Sequence, residues 1–330
     1  MGFQVSAATT TTSYTLNPNM TNTTEALCEV PANEVFIFAY SLVFLVSLVL
    51  NCFPLAVHFC SDQRVQSSIT VYMNNLIAAD FFLCLSLLLR IASYADSTIM
   101  MFNIYCSFGA TAFYINMYAS ILFMEFIAIN RYLKIVRPLE THTLQTVRTA
   151  RYISGAIWFV LLAISSIYVI LYLSTSWSKT KPEVFICDFQ DSSQISAAYT
   201  SVHSASFVIF IFILVSLIFL YWKTLQKLRE VQLSTQAEFN RQKFRKSKQN
   251  MLVLVVIFCV CFVPYHLVRL PYIFIRHLLN DCTSIQALHI LKEVTALLAA
   301  LNVSLDPLIY FFFCKAFRDK VNLISCQNCP

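Results

Sequence analysis

Of 330 residues, 58% are hydrophobic and 12% are charged, against roughly 45–50% apolar and about 25% charged in a soluble domain, so water is not the main solvent of this chain. With three glycines in all (Gly2, Gly109 and Gly155), the sequence can build neither a Gly-rich phosphate loop nor a dinucleotide fingerprint, which excludes nucleotide-fuelled pumps of that kind. The formal charge of +6 does not point to nucleic acid, because the basic residues stand in short blocks between apolar segments, as membrane topology requires.

Residues 1–34, rich in Ser, Thr and Asn, read as a disordered tail with glycan acceptor triplets at Asn19 and Asn22. Apolar stretches near the ~20 residues that cross a bilayer then run from Val35 to Cys60, Ser68 to Ala92, Phe102 to Tyr132 and Tyr152 to Leu173. Three more follow, from Ala197 to Tyr221, Met251 to Ile275 and Ala287 to Cys314. Only helices or closed barrels satisfy their backbones in lipid, so the expected fold is an all-α membrane protein, a seven-helix bundle over residues 35–314. Residues 315–330 complete the chain as a short tail, with an amphipathic juxtamembrane helix from Lys315 to Ile324.

The segments around Arg64, from Arg131 to Arg151 and from Lys223 to Lys248, together with the tail, hold most of the basic residues and are expected in the cytoplasm. The N-terminal tail carries Glu25, Glu29 and Glu34 without a base and is expected outside. Met1 to Ser6 fits a myristoylation pattern, but that modification is cytosolic and contradicts this topology, so the match reads as chance. The expected setting is the plasma membrane, crossed seven times, with lipid and no nucleic acid as its surroundings.

Cys28, Cys106, Cys187 and Cys282 all fall at the oxidising face, where four cysteines imply two disulfides with three possible connectivities. Cys326 and Cys329, just past the amphipathic stretch, suit reversible palmitoylation. Ionisable groups inside spans normally face a cavity or a partner, and Asp80 and Asp306 are the clearest cases. A protease dyad would want Gly-rich sequence at the second Asp. Here Asp306 opens Asp306-Pro307-Leu308-Ile309-Tyr310, which fits a hydrated core that binds Na⁺.

In order along the chain stand Asn51, Leu76 to Asp80, Cys106, Asn130-Arg131-Tyr132, Trp158, Tyr221, Cys261-Phe262-Val263-Pro264 and the motif from Asp306 to Tyr310. This ordered set resembles rhodopsin-like G-protein-coupled receptors over nearly the whole length. The resemblance implies disulfides Cys106 to Cys187 and Cys28 to Cys282, and a sodium pocket of Asp80, Ser120, Asn302 and Asp306. It also implies a switch in which Arg131 receives a heterotrimeric G protein as the sixth helix swings about Pro264, near Phe262, with Pro307, Tyr310, Tyr132 and Tyr221 as further switch positions. No metal beyond sodium, no other cofactor and no catalytic residue are expected. The usual acid before Arg131 is replaced by Asn130, which is expected to loosen the inactive latch.

Phe262, His266, Arg269 and Tyr272, spaced by four, three and three, share one face of the sixth span. Tyr114 and Tyr118 lie at the same depth, Lys292-Glu293 opens the seventh span, and Arg90 joins the set from the second. Arg269 and Lys292 in one cavity repel each other unless an anion lies between them, and Glu293 is expected to offset only one charge. An anionic ligand follows, with Arg suited to phosphate or carboxylate and Tyr to a planar ring. Phe113 to Tyr118, Phe262 to Tyr272 and Lys292-Glu293 are similar to the purinergic receptors for ADP or UDP-sugars, which implies a nucleotide-like ligand and coupling to the inhibitory G protein. Receptors for lysophosphatidylserine and related lipids share such a cup and supply the alternative. Transporter and channel readings lack internal repeats, and aligning on Pro307 puts Ala300 where opsins carry their retinal-linked lysine.

Overall fold

The computed structural model describes residues 33–60, 67–96, 98–137, 142–175, 193–234, 238–279 and 281–313. The tail with Asn19, Asn22 and Cys28, the segment with Cys187, and the stretch with Cys326 and Cys329 lie outside these residues. Regular structure among the described residues is entirely helical: α1 (Asn33–Cys60), α2 (Ser68–Ala95), α3 (Ile99–Ile104), α4 (Ala110–Val136), α5 (Val147–Thr175), α6 (Ser193–Ser234), α7 (Glu238–Ile275), α8 (Cys282–Ala300) and α9 (Asn302–Phe313). Seven segments are long and apolar enough to cross a membrane. The third pairs α3 with α4 and the seventh pairs α8 with α9. Below, "upper" means the end at which α1 begins.

Four starts are set locally by side-chain caps. Ser67 accepts from the Thr70 amide at 3.3 Å, Thr98 from Met101 at 3.3 Å, Thr146 from Thr149 at 3.2 Å and Asp281 from Ser284 at 2.8 Å, each filling an amide that the first turn leaves without a helical partner. Hydropathy ends the fifth span at Tyr221 and begins the sixth at Met251, yet α6 continues to Ser234 and α7 starts at Glu238. The intervening sequence is rich in Lys, Arg, Gln, Glu and Leu, all good helix formers. Its charge marks the end of the bilayer, not the end of the helix.

Two interruptions shape the bundle. A wide π turn, Tyr105–Gly109, joins α3 to α4. A Cβ on Gly109 would meet Tyr105 Cδ2 at 2.6 Å and Leu89 Cβ at 3.2 Å, so glycine lets the Tyr105 ring fold back over the turn and the second span press close. In the seventh span the helix breaks at Leu301, whose carbonyl accepts from Ser304 and Leu305 at 3.0 and 3.2 Å. Pro307 has no N–H for the carbonyl one turn earlier, that of Val303. Asn51 of the first span fills the gap, donating Nδ2 to the Val303 carbonyl at 2.7 Å.

One continuous apolar core runs through the bundle, with Leu76, Phe123, Met124, Phe258, Phe262 and Tyr310 among its buried members. The fourth span packs at the rim, tied by Trp158 Nε1 to Asn75 Oδ1 at 2.9 Å and by Tyr172 to Asn103 at 3.1 Å. Cys106 and Cys282 are each disulfide-bonded.

Candidate functional site

At the upper end Arg269, 4% exposed, leaves the sixth span and donates from Nη2 to the Tyr114 hydroxyl at 2.7 Å. Its guanidinium lies 5.4–5.7 Å from the ring centres of Tyr114, Tyr199 and Tyr272. Lys292 Nζ lies 5.1 Å from the same Tyr272 ring. One fully buried ring thus lies within about 6 Å of two cations from different spans, close enough for its π face to attract them. With its guanidinium buried, Arg269 is not an interfacial side chain reaching for water.

Glu293 differs from expectation in how many groups it serves. Its Oε1 takes Lys292 Nζ at 2.9 Å and its Oε2 takes Arg90 Nη2 at 2.5 Å. Tyr94 donates to the same Oε2 at 2.6 Å, Tyr40 reaches it at 3.5 Å, and His289 Nε2 stands 4.0 Å from Oε1. One carboxylate, 3% exposed, therefore fastens the first, second and seventh spans and answers two cations, where the sequence reading gave it one. Arg90 also lies over the Tyr40 ring at 4.6 Å and the Phe113 ring at 5.2 Å. Removing one partner from such a buried pair typically costs about 3–5 kcal/mol.

His266 sits deeper, 2% exposed. Its ring stacks on Phe210 at 3.7 Å and meets Tyr118 edge-on at 5.8 Å, while Nδ1 is 2.8 Å from the Phe262 carbonyl. The two rings of His203 and Tyr199, 4.3 Å apart, line the fifth-span side. The candidate cup residues of the second, third, sixth and seventh spans thus gather at one end.

Midway down, Asp80, Ser120, Asn302 and Asp306 are at most 1% exposed. Tyr310 donates to Asp80 Oδ2, and Asn302 Nδ2 donates to Asp306 Oδ2 at 2.9 Å. That leaves four buried oxygens without a hydrogen-bond partner: Asp80 Oδ1, Ser120 Oγ, Asn302 Oδ1 and Asp306 Oδ1. The Asp80 and Asp306 carboxyls stand within hydrogen-bond reach of each other, and an all-oxygen donor set with two carboxyls suits a hard cation such as Na⁺.

At the lower end Arg131 Nη2 donates to the Phe313 carbonyl at 2.9 Å, with its guanidinium 4.7 Å from that residue's ring. Asn250 of the sixth span donates to the Phe312 carbonyl at 2.9 Å. Asn130, 1% exposed, turns the other way. It accepts from Ser68 at 2.8 Å and donates to the Leu144 carbonyl at 3.3 Å, so it ties the third span to the second and to the turn before the fourth. Tyr132 and Tyr221 pack partly buried against the core, Phe262 is fully buried, and Pro264 and Pro307 lie inside continuous helices.

Several buried polar residues carry no sequence expectation, among them Tyr40, Tyr94, Asn250 and, inside the third span, Glu125. Glu125 of the third span is 7% exposed and takes a 2.6 Å hydrogen bond from Ser216 of the fifth. Its signal was there to be read: it is the one acid between Asn116 and Asn130, in an apolar run.

Residues 51–310 match the family described as 7 transmembrane receptor (rhodopsin family). The chain belongs to that family: it is a multi-pass membrane receptor, not an enzyme, and G-protein coupling and a small-molecule ligand come with membership. It is 32% identical over 285 residues to G-protein coupled receptor 87 of Mus musculus, covering 86% of this chain and 77% of that protein. It is likewise 32% identical to purinoceptor 14 of Bos taurus (87% of this chain, 84% of that protein) and 29% identical to lysophosphatidic acid receptor 6 of Mus musculus (86% and 82%).

Proposed function

We propose that this receptor lies in the plasma membrane with its N-terminus outside and binds an extracellular anionic ligand, a nucleotide or nucleotide-sugar, signalling through the inhibitory G protein. The observation that carries the reading is the pair of buried cations, Arg269 and Lys292, that share the Tyr272 ring at 5.7 and 5.1 Å. A guanidinium offers a planar fork to phosphate or carboxylate oxygens and an ammonium a point charge. The surrounding tyrosines offer flat faces to a base or sugar. Similarity to a purinoceptor agrees with a nucleotide. Similarity to a lysophosphatidic acid receptor supports the second reading, a lysophospholipid whose head group uses the same cations.

Ligand above and G protein below favour one open conformation, so each raises the affinity for the other. Asp80, Ser120, Asn302 and Asp306 hold a sodium ion in the closed conformation, consistent with their four orphaned oxygens. The test is a G-protein activation screen on cells carrying the full chain, with ADP, UDP-glucose, ATP, lysophosphatidylserine and lysophosphatidic acid. A nucleotide response that Arg269→Ala and Lys292→Ala each abolish, at unchanged surface expression, is expected. A response to the lipids alone selects the second reading, and unchanged potency in both variants removes these residues from the site.

A further inference from the structure

Glu125 lies in the lower half of the membrane. From residue 125 to Tyr132, where the apolar stretch ends, is about 10 Å of helix, about a third of a hydrocarbon core of about 30 Å. Carboxyl groups at that depth are rare and mark functional positions. The cup, the sodium pocket and the Arg131 latch make no use of it.

Its surroundings say what it does. Ser216 Oγ donates to Oε1 at 2.6 Å, while Oε2 is buried with no hydrogen-bond partner. Tyr118, a member of the cup, has its hydroxyl beside Ser206 of the fifth span. Tyr118 and Glu125 are seven residues apart, so they lie two turns apart on one stripe of α4. That stripe therefore meets polar groups of the fifth span at two levels, beside Ser206 at ligand depth and through the Ser216 hydrogen bond in the lower half of the membrane. Little else polar is seen to hold this stretch of α6, whose Phe212, Val215, Ile218, Phe219 and Trp222 are exposed on the bundle surface. Arg131 rests on the Phe313 carbonyl in the same structure in which the Glu125 tie is made.

We propose that the Glu125–Ser216 hydrogen bond is a clasp that holds the fifth span against the third in the closed receptor and opens when the receptor signals. It rests on membership of the receptor family and not on the identity of the ligand. Hydrogen bonds between helices in membranes shift an equilibrium by roughly threefold to twentyfold, and the clasp is expected to act within that range.

The experiment measures ligand-free activation of a panel of G-protein subtypes by the full chain, at matched surface expression, with thermal stability followed in parallel. Glu125→Leu and Ser216→Ala each raise ligand-free activity by roughly threefold to twentyfold. The double variant does no more than either alone, because both remove the same bond. Glu125→Gln, which keeps an oxygen to accept from Ser216, stays near the natural protein. Additive effects, or a glutamine variant as active as the leucine one, overturn the clasp. Should Glu125→Leu fail to reach the surface, Ser216→Ala decides: it deletes one oxygen, and unchanged ligand-free activity in that variant overturns the proposal. A purely structural role lowers stability without raising activity and is likewise fatal.

Discussion

The two ends of the bundle are fastened by different chemistry. Above, a single buried carboxylate, Glu293, gathers Arg90, Lys292 and Tyr94 within 2.9 Å. Below, Arg131 and Asn250 donate to the backbone carbonyls of Phe313 and Phe312, each at 2.9 Å. A buried ion network falls apart at a high cost when one member leaves. A side chain resting on a helix-end carbonyl gives up one hydrogen bond, worth about 0.6 kcal/mol and at most about 1.7 kcal/mol between membrane helices. The charged end is thus built to stay assembled, and the carbonyl-held end is built to let go.

The largest effect should come from breaking the charged end. Glu293→Gln leaves Arg90 and Lys292 buried without their carboxylate, and thermal unfolding of the solubilised receptor should show a loss of about 3–5 kcal/mol. Adding Arg90→Met should restore part of it. A melting temperature equal to that of the natural protein would mean the network is not the fastening described here.

A smaller effect is expected below. Asn250→Ala frees the Phe312 carbonyl, and ligand-free signalling at equal surface expression should rise by up to about an order of magnitude. Signalling equal to or below that of the natural protein would erase the contrast between the ends.

Asn130→Asp sharpens the same contrast. The amide that now donates to the Leu144 carbonyl is lost, while the carboxylate beside Arg131 that the family usually carries is restored. Ligand-free signalling should fall by a few-fold, consistent with a charged hydrogen bond of about 1.5–3 kcal/mol partly offset by the lost donor. Equal basal activity would show that residue 130 serves only Ser68 and Leu144.

The smallest effect concerns the start of the seventh span. The side-chain and backbone hydrogen bonds from Ser284 hold the Asp281 carboxyl below the usual carboxylate range. A lowered value in the folded state means that the cap's contribution is complete above the ordinary carboxylate range and fades as pH falls through the lowered value. Asp281→Ala should lower the melting temperature slightly at neutral pH and not at strongly acid pH. An equal difference at both would show that the cap does not depend on the charge.

Much of this architecture is legible in the sequence because lipid allows few solutions. Seven apolar runs of bilayer length had to be helices, and basic blocks between them marked one side. The one-face spacing of Phe262, His266, Arg269 and Tyr272 was likewise readable, since helical periodicity does not depend on partners. Where the partner decides, sequence fell short. Nothing local says that Glu293 answers Arg90, which stands two hundred residues away, as well as its own neighbour Lys292. The direction of the Asn130 amide was hidden for the same reason. The long lower ends of α6 and α7 were missed because hydropathy reports the solvent of a helix and not its continuity.

The tie between Asn51 and the Val303 carbonyl has a mechanical consequence. Together with Glu293 above and the Tyr310 bond to Asp80 below, it fastens the first, second and seventh spans to one another at three heights. Helices pinned that way cannot slide or rotate independently, so they form a chassis. The fifth and sixth spans carry none of these three ties, so the chassis leaves them the freest of the bundle to shift against it.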